Sequence, residues 1–334
     1  MAKLAYSYPV PRIKSRETRL LDSSMLNRIL AEEKPENAMR ILAETEYSHH
    51  LAEIDSVYQF ENLLNRELQR VYSLLFELAP DERLLHLITM RGDVQNLKVL
   101  FKSDGKVKAD SSLFTTRCEV QPKKLLQIYE EKRWDKLPEH LEQAVLSLQS
   151  EFEENGFNQQ LIDVIFDRYH YLRAGEIVKK LKSKLLIKFY KQKIDFLNIE
   201  IFIRAREMDR DLDFLKKALL DSGNIEKKLL YELFEEDLSA LVARFKMSDY
   251  HRVIQEGIEA WNKDKSLRRF ETLADDYLME TIKKAKFIFF GPEPLFGYLW
   301  AKETEIKNLR IILTGKINNL PDSAIKERLN ELYI

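Results

Sequence analysis

The segment AKETEIKNLRIILTGK, Ala301 to Lys316, gathers Glu303, Glu305, Asn308 and Arg310 within eight residues. Carboxylates and an amide at helical spacing can act as acid, base and hydrogen-bond partner in catalysis, and an arginine can hold an anion. The segment therefore reads first as a candidate catalytic helix. Glu303 and Lys307, four apart, read as a helix-surface pair.

Other chemistry-bearing residues lack the spacing their chemistry needs. His49-His50 are adjacent, so on a helix they diverge by about 100°, and no His-x3-His or His-Glu-x-x-His spacing occurs. The single cysteine, Cys118, can form neither an internal disulfide nor a thiolate cluster, and a nucleophilic role would require a histidine such as His140 close in space. Neither the Gly-x4-Gly-Lys-[Ser/Thr] nor the Gly-x-Gly-x-x-Gly phosphate cradle is present. The 54 lysines and arginines nearly cancel 55 aspartates and glutamates, so no global field draws in nucleic acid. No metal or cofactor is expected.

The acid and amide of the opening segment have relatives within the chain. Asp93-x-x-Asn96-Leu97, Asp195-x-x-Asn198-Ile199 and Glu305-x-x-Asn308-Leu309 each place an acid, an asparagine three later, then aliphatics, and the asparagines lie 102 and 110 residues apart. Residues three apart share a helix face. Because an enzyme usually needs one asymmetric site, Asp93, Asn96, Asp195, Asn198, Glu305 and Asn308 read as buried polar anchors of a repeated packing arrangement.

Flanking features keep step with these anchors. Leucine-rich helix starts stand at Leu26, Leu126 and Leu230, 70 to 78 residues before each asparagine, and amphipathic segments around Leu68, Tyr169 and Tyr277 precede it by about 30. Three helical units of about 105 residues follow, with boundaries 1–110, 111–222 and 223–334. This period exceeds the 33–47 residues of common solenoid repeats, so each unit is a small helical domain.

The elements that position these residues are helices. Only nine glycines occur in 334 residues, and apolar residues recur three and four apart, as in Leu161, Val164, Ile165, Leu172 and in Leu299, Ile306, Leu309, Leu313, Ile317. Breaks are expected at Lys34-Pro35, Ala79-Pro80, Gln121-Pro122, Leu137-Pro138, Asn155-Gly156, Ser222-Gly223, Gly291-Pro292 and Leu320-Pro321, leaving helices mostly of about 12 to 25 residues. The most apolar stretch, Phe287 to Ala301, is interrupted by Gly291, Pro292, Glu293 and Pro294 and is shorter than the ~20 residues that span a bilayer. The N-terminal sequence lacks the roughly 7–15-residue apolar run of a signal peptide, which places the chain in the cytoplasm.

Two local charge patches remain. KKLKSKLLIKFYKQK, Lys179 to Lys193, holds seven lysines and no acid, and a helical face of Val178, Leu181, Leu185 and Phe189 would put most of them opposite the core. Its default role is a solvated face; its sharper role is a docking patch, with Lys182, Lys184 and Lys188, for an acidic partner surface. Glu232, Glu235, Glu236 and Asp237 form an acidic counterpart.

The C-terminal stretch FGPEPLFGYLWAKETEIKNLRIILTGKINNLP, Phe290 to Pro321, closely resembles the signature of the C subunit of archaeal and bacterial V-type (A/V-type) ATPases, the relative of the eukaryotic d subunit. The residues that carry it are Gly291 to Pro294, Tyr298, Ala301 to Glu303, Glu305, Asn308 to Arg310 and Gly315-Lys316. YSYPVPRIKSRETRLLD is similar to the family's entry helix, except that Pro9 to Pro11 stand where a more helical segment is common. The resemblance implies an all-α protein of three similar domains in a pseudo-threefold funnel, with no catalytic residues. It would seat on the cytoplasmic face of a membrane rotor ring, receive the central shaft, and pass torque between ATP turnover and H+ or Na+ movement. It would be peripheral to the membrane and a single copy within the complex. The alternative class is a free-standing helical scaffold or adaptor.

Overall fold

The computed structural model describes residues 4–108 and 111–334. Residues 1–3 and 109–110, and with them the boundary expected at 110, lie outside the described residues. All regular structure among the described residues is helical, so the fold is all-α.

The chain forms two compact units, one of residues 1–81 with 237–334 and one of residues 82–236. The first contains α1 (Pro9–Glu17), α2 (Ser23–Ala31), α3 (Pro35–Ile41), α4 (Ser48–Leu51) and α5 (Phe60–Leu78). The second contains α6 (Glu82–Lys102), α7 (Pro122–Glu131), α8 (Glu139–Asn155), α9 (Gln159–Leu181), α10 (Lys184–Glu207), α11 (Leu212–Ala218) and α12 (Lys227–Glu232). The first unit then resumes with α13 (Leu238–Arg244), α14 (His251–Asp264), α15 (Arg268–Ile282), α16 (Glu293–Ile317) and α17 (Asp322–Lys326).

Local sequence explains the helix starts. Proline stands in the first turn of α1, α3, α7 and α16, where its missing N–H costs nothing, so Pro9 and Pro11 open α1 rather than disrupt it. Asp22, Asn158, Ser183 and Asp211 cap α2, α9, α10 and α11 by accepting a backbone N–H. Helix boundaries fall at the Pro and Gly breaks named above, except that Ser222-Gly223 lies in the middle of the 219–226 connection between α11 and α12. Helix lengths are more varied than expected: α3, α4, α11, α12, α13 and α17 have seven residues or fewer. Segments this short are not stable alone and depend on the helices beneath them.

Those supports are α6, α10 and α16, which bury residues around their whole circumference instead of along one stripe. In the first unit α16 packs on α5, α1 and α15, and its Ile306, Leu309, Ile312 and Leu313 share a core with Leu26, Ile29, Leu42 and Leu63. In the second unit α9 lies against α6, α8 and α10. Leu97, Phe101, Leu141, Val145, Ile162 and Phe166 form its core, flanked by Tyr129 and Trp134. The α9 stripe begins in that core at Leu161 and Ile165 but runs out to Leu172, which is exposed.

Candidate functional site

The six acid and amide positions lie on α6, α10 and α16, and all are buried. Each asparagine grips one backbone residue with both ends of its amide. Asn96 donates to the Thr115 carbonyl and accepts its N–H, both at 2.9 Å. Asn198 does the same with Leu220 (2.9 and 2.7 Å), and Asn308 with Asn330 (2.8 and 2.8 Å). An amide has one donating and one accepting end, which is what a peptide unit needs, so the pair is self-satisfying in a dry site.

The loops that present these backbone residues are built alike. Two positions past the end of each long helix stands a residue of left-handed conformation, Asp104, Asp209 or Asn319, and the gripped residue follows eleven positions later in all three. The first stretch is shorter only between asparagine and cap, eight residues against eleven in the other two. A turn fewer of helix therefore leaves the spacing from left-handed residue to gripped residue unchanged.

The acids hold the chain just before the next helix. Asp93 accepts from Glu119 N (3.1 Å) and Val120 N (2.8 Å), two residues ahead of α7. Asp195 accepts from Asn224 N (2.7 Å) and Ile225 N (2.8 Å), two ahead of α12, with the Asn224 side chain at 2.8 Å. Glu305 accepts from Leu21 N at 2.6 Å, two ahead of α2. The leucine-rich helices are thus each held at their lead-in by the acid of a long helix. Two glycines permit the approach: a Cβ on Gly92 would collide with the Arg117 carbonyl, and one on Gly223 with the Asp195 carboxylate.

Glu305 differs from the aspartates in being embedded in charge. Its other oxygen accepts from the Tyr47 hydroxyl (2.8 Å) and from Lys302 (2.7 Å). Lys302 is 3.3 Å from Glu67, which takes a two-point contact from Arg70, which in turn meets Glu46 at 2.9 Å; Arg16 and Arg19 complete the chain at the surface. Burial pushes the Lys302 ammonium down, but Glu305 and Glu67 outweigh it and hold its pKa above the ordinary lysine value. Burial also drives the Tyr47 hydroxyl well up, reinforced by Glu305, so it remains a donor. Glu303 and Lys307 do not form the expected pair: Glu303 accepts from Tyr72 on α5 and Lys307 reaches Asp275 on α15. Arg310 makes a two-point contact with Glu61 at 2.7 and 3.0 Å. The polar groups of the AKETEIKNLR segment are thus directed at neighbouring elements of the same unit.

The model of the ATP synthase (C/AC39) subunit family matches residues 9–328. The chain belongs to this family. Among curated relatives, the C subunit of the V-type sodium ATPase of Enterococcus hirae is 27% identical over 324 residues, covering 97% of each chain. The C subunit of the A-type ATP synthase of Methanocaldococcus jannaschii is 24% identical, covering 98% of this chain and 86% of its own. That of Methanosphaera stadtmanae is 27% identical, covering 97% and 87%.

In this C/AC39 chain the lysine-rich segment is not one helix. It breaks at Lys182, which adopts a left-handed conformation (φ 56°), and Ser183 then caps α10 by accepting from Leu186 N at 3.1 Å. The single stripe of Val178, Leu181, Leu185 and Phe189 is therefore replaced by two helix ends that bury Val178, Leu186, Phe189 and Tyr190. Lys179, Lys180, Lys182, Lys184 and Lys188 project around the turn, exposed, with no ion-pair partner among the described residues. The sequence signal for this break was Ser183 three residues before Leu186, a cap pattern without Gly or Pro.

The remaining candidates are structural. Cys118 is buried, its thiol pushed up to about 12 by burial, and it donates toward the Thr115 and Val120 carbonyls within the Asp93 and Asn96 arrangement. His50 lies 3.7 Å from Glu67, with burial pushing its pKa down, and no cluster of three metal-ligating side chains occurs among the described residues. Among them, too, no helix is long and apolar enough to cross a membrane.

Proposed function

We propose that this C/AC39 chain is a non-catalytic central-stalk component of a V-type rotary ATPase or ATP synthase. It acts as a socket that joins the rotating shaft to the membrane rotor ring and passes torque between ATP turnover and ion transport. Family membership over nearly the whole chain, with relatives named as the C subunits of a V-type sodium ATPase and of A-type ATP synthases, is the observation that carries this reading. A coupler needs stiffness under load and contacts that do not slip. Support comes from three long helices that each grip a backbone loop with an asparagine and the start of another helix with an acid.

In this reading Asp93, Asn96, Asp195, Asn198, Glu305 and Asn308 anchor three related helical domains, 1–110, 111–222 and 223–334, arranged as a pseudo-threefold funnel. The chain is a single copy in its complex and peripheral to the membrane through the ring. The exposed lysines of the α9–α10 turn, Lys182, Lys184 and Lys188 foremost, dock an acidic surface of a partner protein.

The test is purification of the ATPase from detergent-solubilised membranes with and without the chain. With it, shaft and ring are expected to be recovered together. Without it, the ring should separate from the shaft and head. Recovery of an intact assembly lacking the chain would favour a free-standing scaffold instead.

A further inference from the structure

Between α15 and α16 the sequence KKAKFIFF, Lys283 to Phe290, places three lysines directly before three phenylalanines, with no acid from Ile282 to Pro292. Phe287, Phe289 and Phe290 are 77%, 66% and 51% exposed. Buried apolar side chains stabilise a fold and exposed ones do not, so three large rings displayed within four residues are not there for the core.

The backbone holds them outward. Ile282 and Ala285 are fully buried, and the Lys286 ammonium donates to the Tyr333 carbonyl while lying 4.7 Å from the Tyr333 ring centre. Ile288 N donates to the Ala285 carbonyl at 3.1 Å. On the far side the Glu293 carboxylate occupies the space a Gly291 side chain would need. The rings therefore project from a segment whose backbone is pinned.

Charge on the segment identifies the surface it fits. Glu280 and Glu331 are both engaged by Lys283, at 2.8 and 2.5 Å, and Lys284 projects exposed beside the rings. Lys14 on α1 reaches the Ala285 carbonyl at 3.3 Å but is paired with Glu17 at 2.9 Å, which leaves Lys284 to meet the surface. Aromatic side chains that enter the acyl boundary, with lysines level with the headgroups, are the combination that binds a membrane interface without spanning it.

We infer that Lys283 to Phe290 is a lipid-contacting tip: Phe287, Phe289 and Phe290 insert into the interfacial layer of a bilayer, and Lys284 meets the phosphate of an anionic phospholipid. This contact is separate from the shaft and ring contacts of the coupling role, because it involves no other protein.

The test is sedimentation of the full chain with vesicles of phosphatidylcholine containing increasing phosphatidylglycerol. Binding is expected to rise with the anionic fraction. Phe287→Ser/Phe289→Ser/Phe290→Ser should weaken it at least tenfold with unchanged helical circular dichroism. Should that variant fold poorly, Lys284→Glu alone should lower binding two- to fivefold on phosphatidylglycerol vesicles and leave the weak binding to phosphatidylcholine unaltered. The inference is overturned if the wild-type chain stays in the supernatant at every lipid composition, or if neither variant differs from it. Loss of recovery with other ATPase components in the triple variant, without vesicle binding by the wild type, would reassign the segment to a protein partner and overturn it too. Vesicle binding by a chain not recovered with any ATPase would uphold this inference and sink the coupling role.

Discussion

The grips at Asn198 and at Asn308 use the same amide geometry over the same span of 22 positions, yet the acids beside them fasten the chain over different distances. Asp195 and Asn198 reach residues 22 to 30 positions downstream, so their loop is ordered locally. Glu305 sits on the last long helix and takes the N–H of Leu21, 284 positions away near the start of the chain. Beside Asn330 the local contact is made by Asp276, which accepts from Glu331 N at 2.7 Å. A grip that ties the two ends of the chain orders more of the polypeptide than one that closes a short loop. It carries correspondingly more charge, with Lys302, Glu67 and Tyr47 around the acid.

The largest expected effect breaks that difference directly. Lys302→Met leaves Glu305 and Glu67 buried without their shared cation, and stranding a buried charge costs about 3–5 kcal/mol. Thermal unfolding should show it, accompanied by protease sensitivity of residues 4–22. Asn198→Ala and Asn308→Ala each orphan a buried N–H and a C=O, at about 1–3 kcal/mol per group, whereas Asn96→Ala leaves the half-buried Thr115 carbonyl still accepting from the Cys118 thiol and costs less. The losses at Asn198 and Asn308 should agree within about 1 kcal/mol if those grips are equivalent, whereas the site of cleavage should move from residues 111–120 for Asn96→Ala to 208–224 for Asn198→Ala and 318–334 for Asn308→Ala. Unequal losses at Asn198 and Asn308, or one common cleavage site, would show that the shared geometry is not shared function.

Protonation separates the units further. His170 and His140 in the second unit are held neutral, burial first, with pKa values pushed down to about 3 and about 4. Both lie below the unfolded value, so their contribution is complete above pH about 6.5 and is lost as pH falls toward 3. Asp93 runs the other way: burial raises it to about 6, so its contribution is full below about 4 and is lost as pH rises through 6. Burial raises Asp167 in the same unit as well, so two acids oppose two histidines, and removing one histidine isolates the histidine share. His170→Phe should lessen the acid-induced loss of stability between pH 7 and pH 5 in denaturant titrations, and an unchanged difference would exclude His170 as a source.

Smallest in stability is the lysine turn. Lys182→Glu/Lys184→Glu/Lys188→Glu should alter unfolding by less than about 0.5 kcal/mol, as for exposed positions. It should nonetheless reduce co-purification with partner proteins of the complex. Equal recovery with unchanged coupled ATPase activity would remove these lysines from the docking surface.

Much of this was readable in the residues. Pro35, Pro122, Gly156 and Pro321 mark helix limits because backbone restrictions are local. The recurrence of acid-x-x-Asn was also visible, since it needs no knowledge of partners. What the acids and amides bind was not, because Thr115, Leu220 and Asn330 contribute only peptide groups, which any residue type would supply. The break at Lys182 was obscured for a related reason: its left-handed residue is a lysine where glycine is usual. Nor does composition distinguish Glu305 from Asp195, although one belongs to a buried charge network and the other does not.

The most direct measurement compares ATP hydrolysis with ion uptake in proteoliposomes holding the complete ATPase, with this chain present, omitted, or added back. The coupling role requires that omission leave hydrolysis by the soluble head running while ATP-driven ion uptake falls to background, and that add-back restore uptake. Undiminished ion uptake without the chain would contradict it.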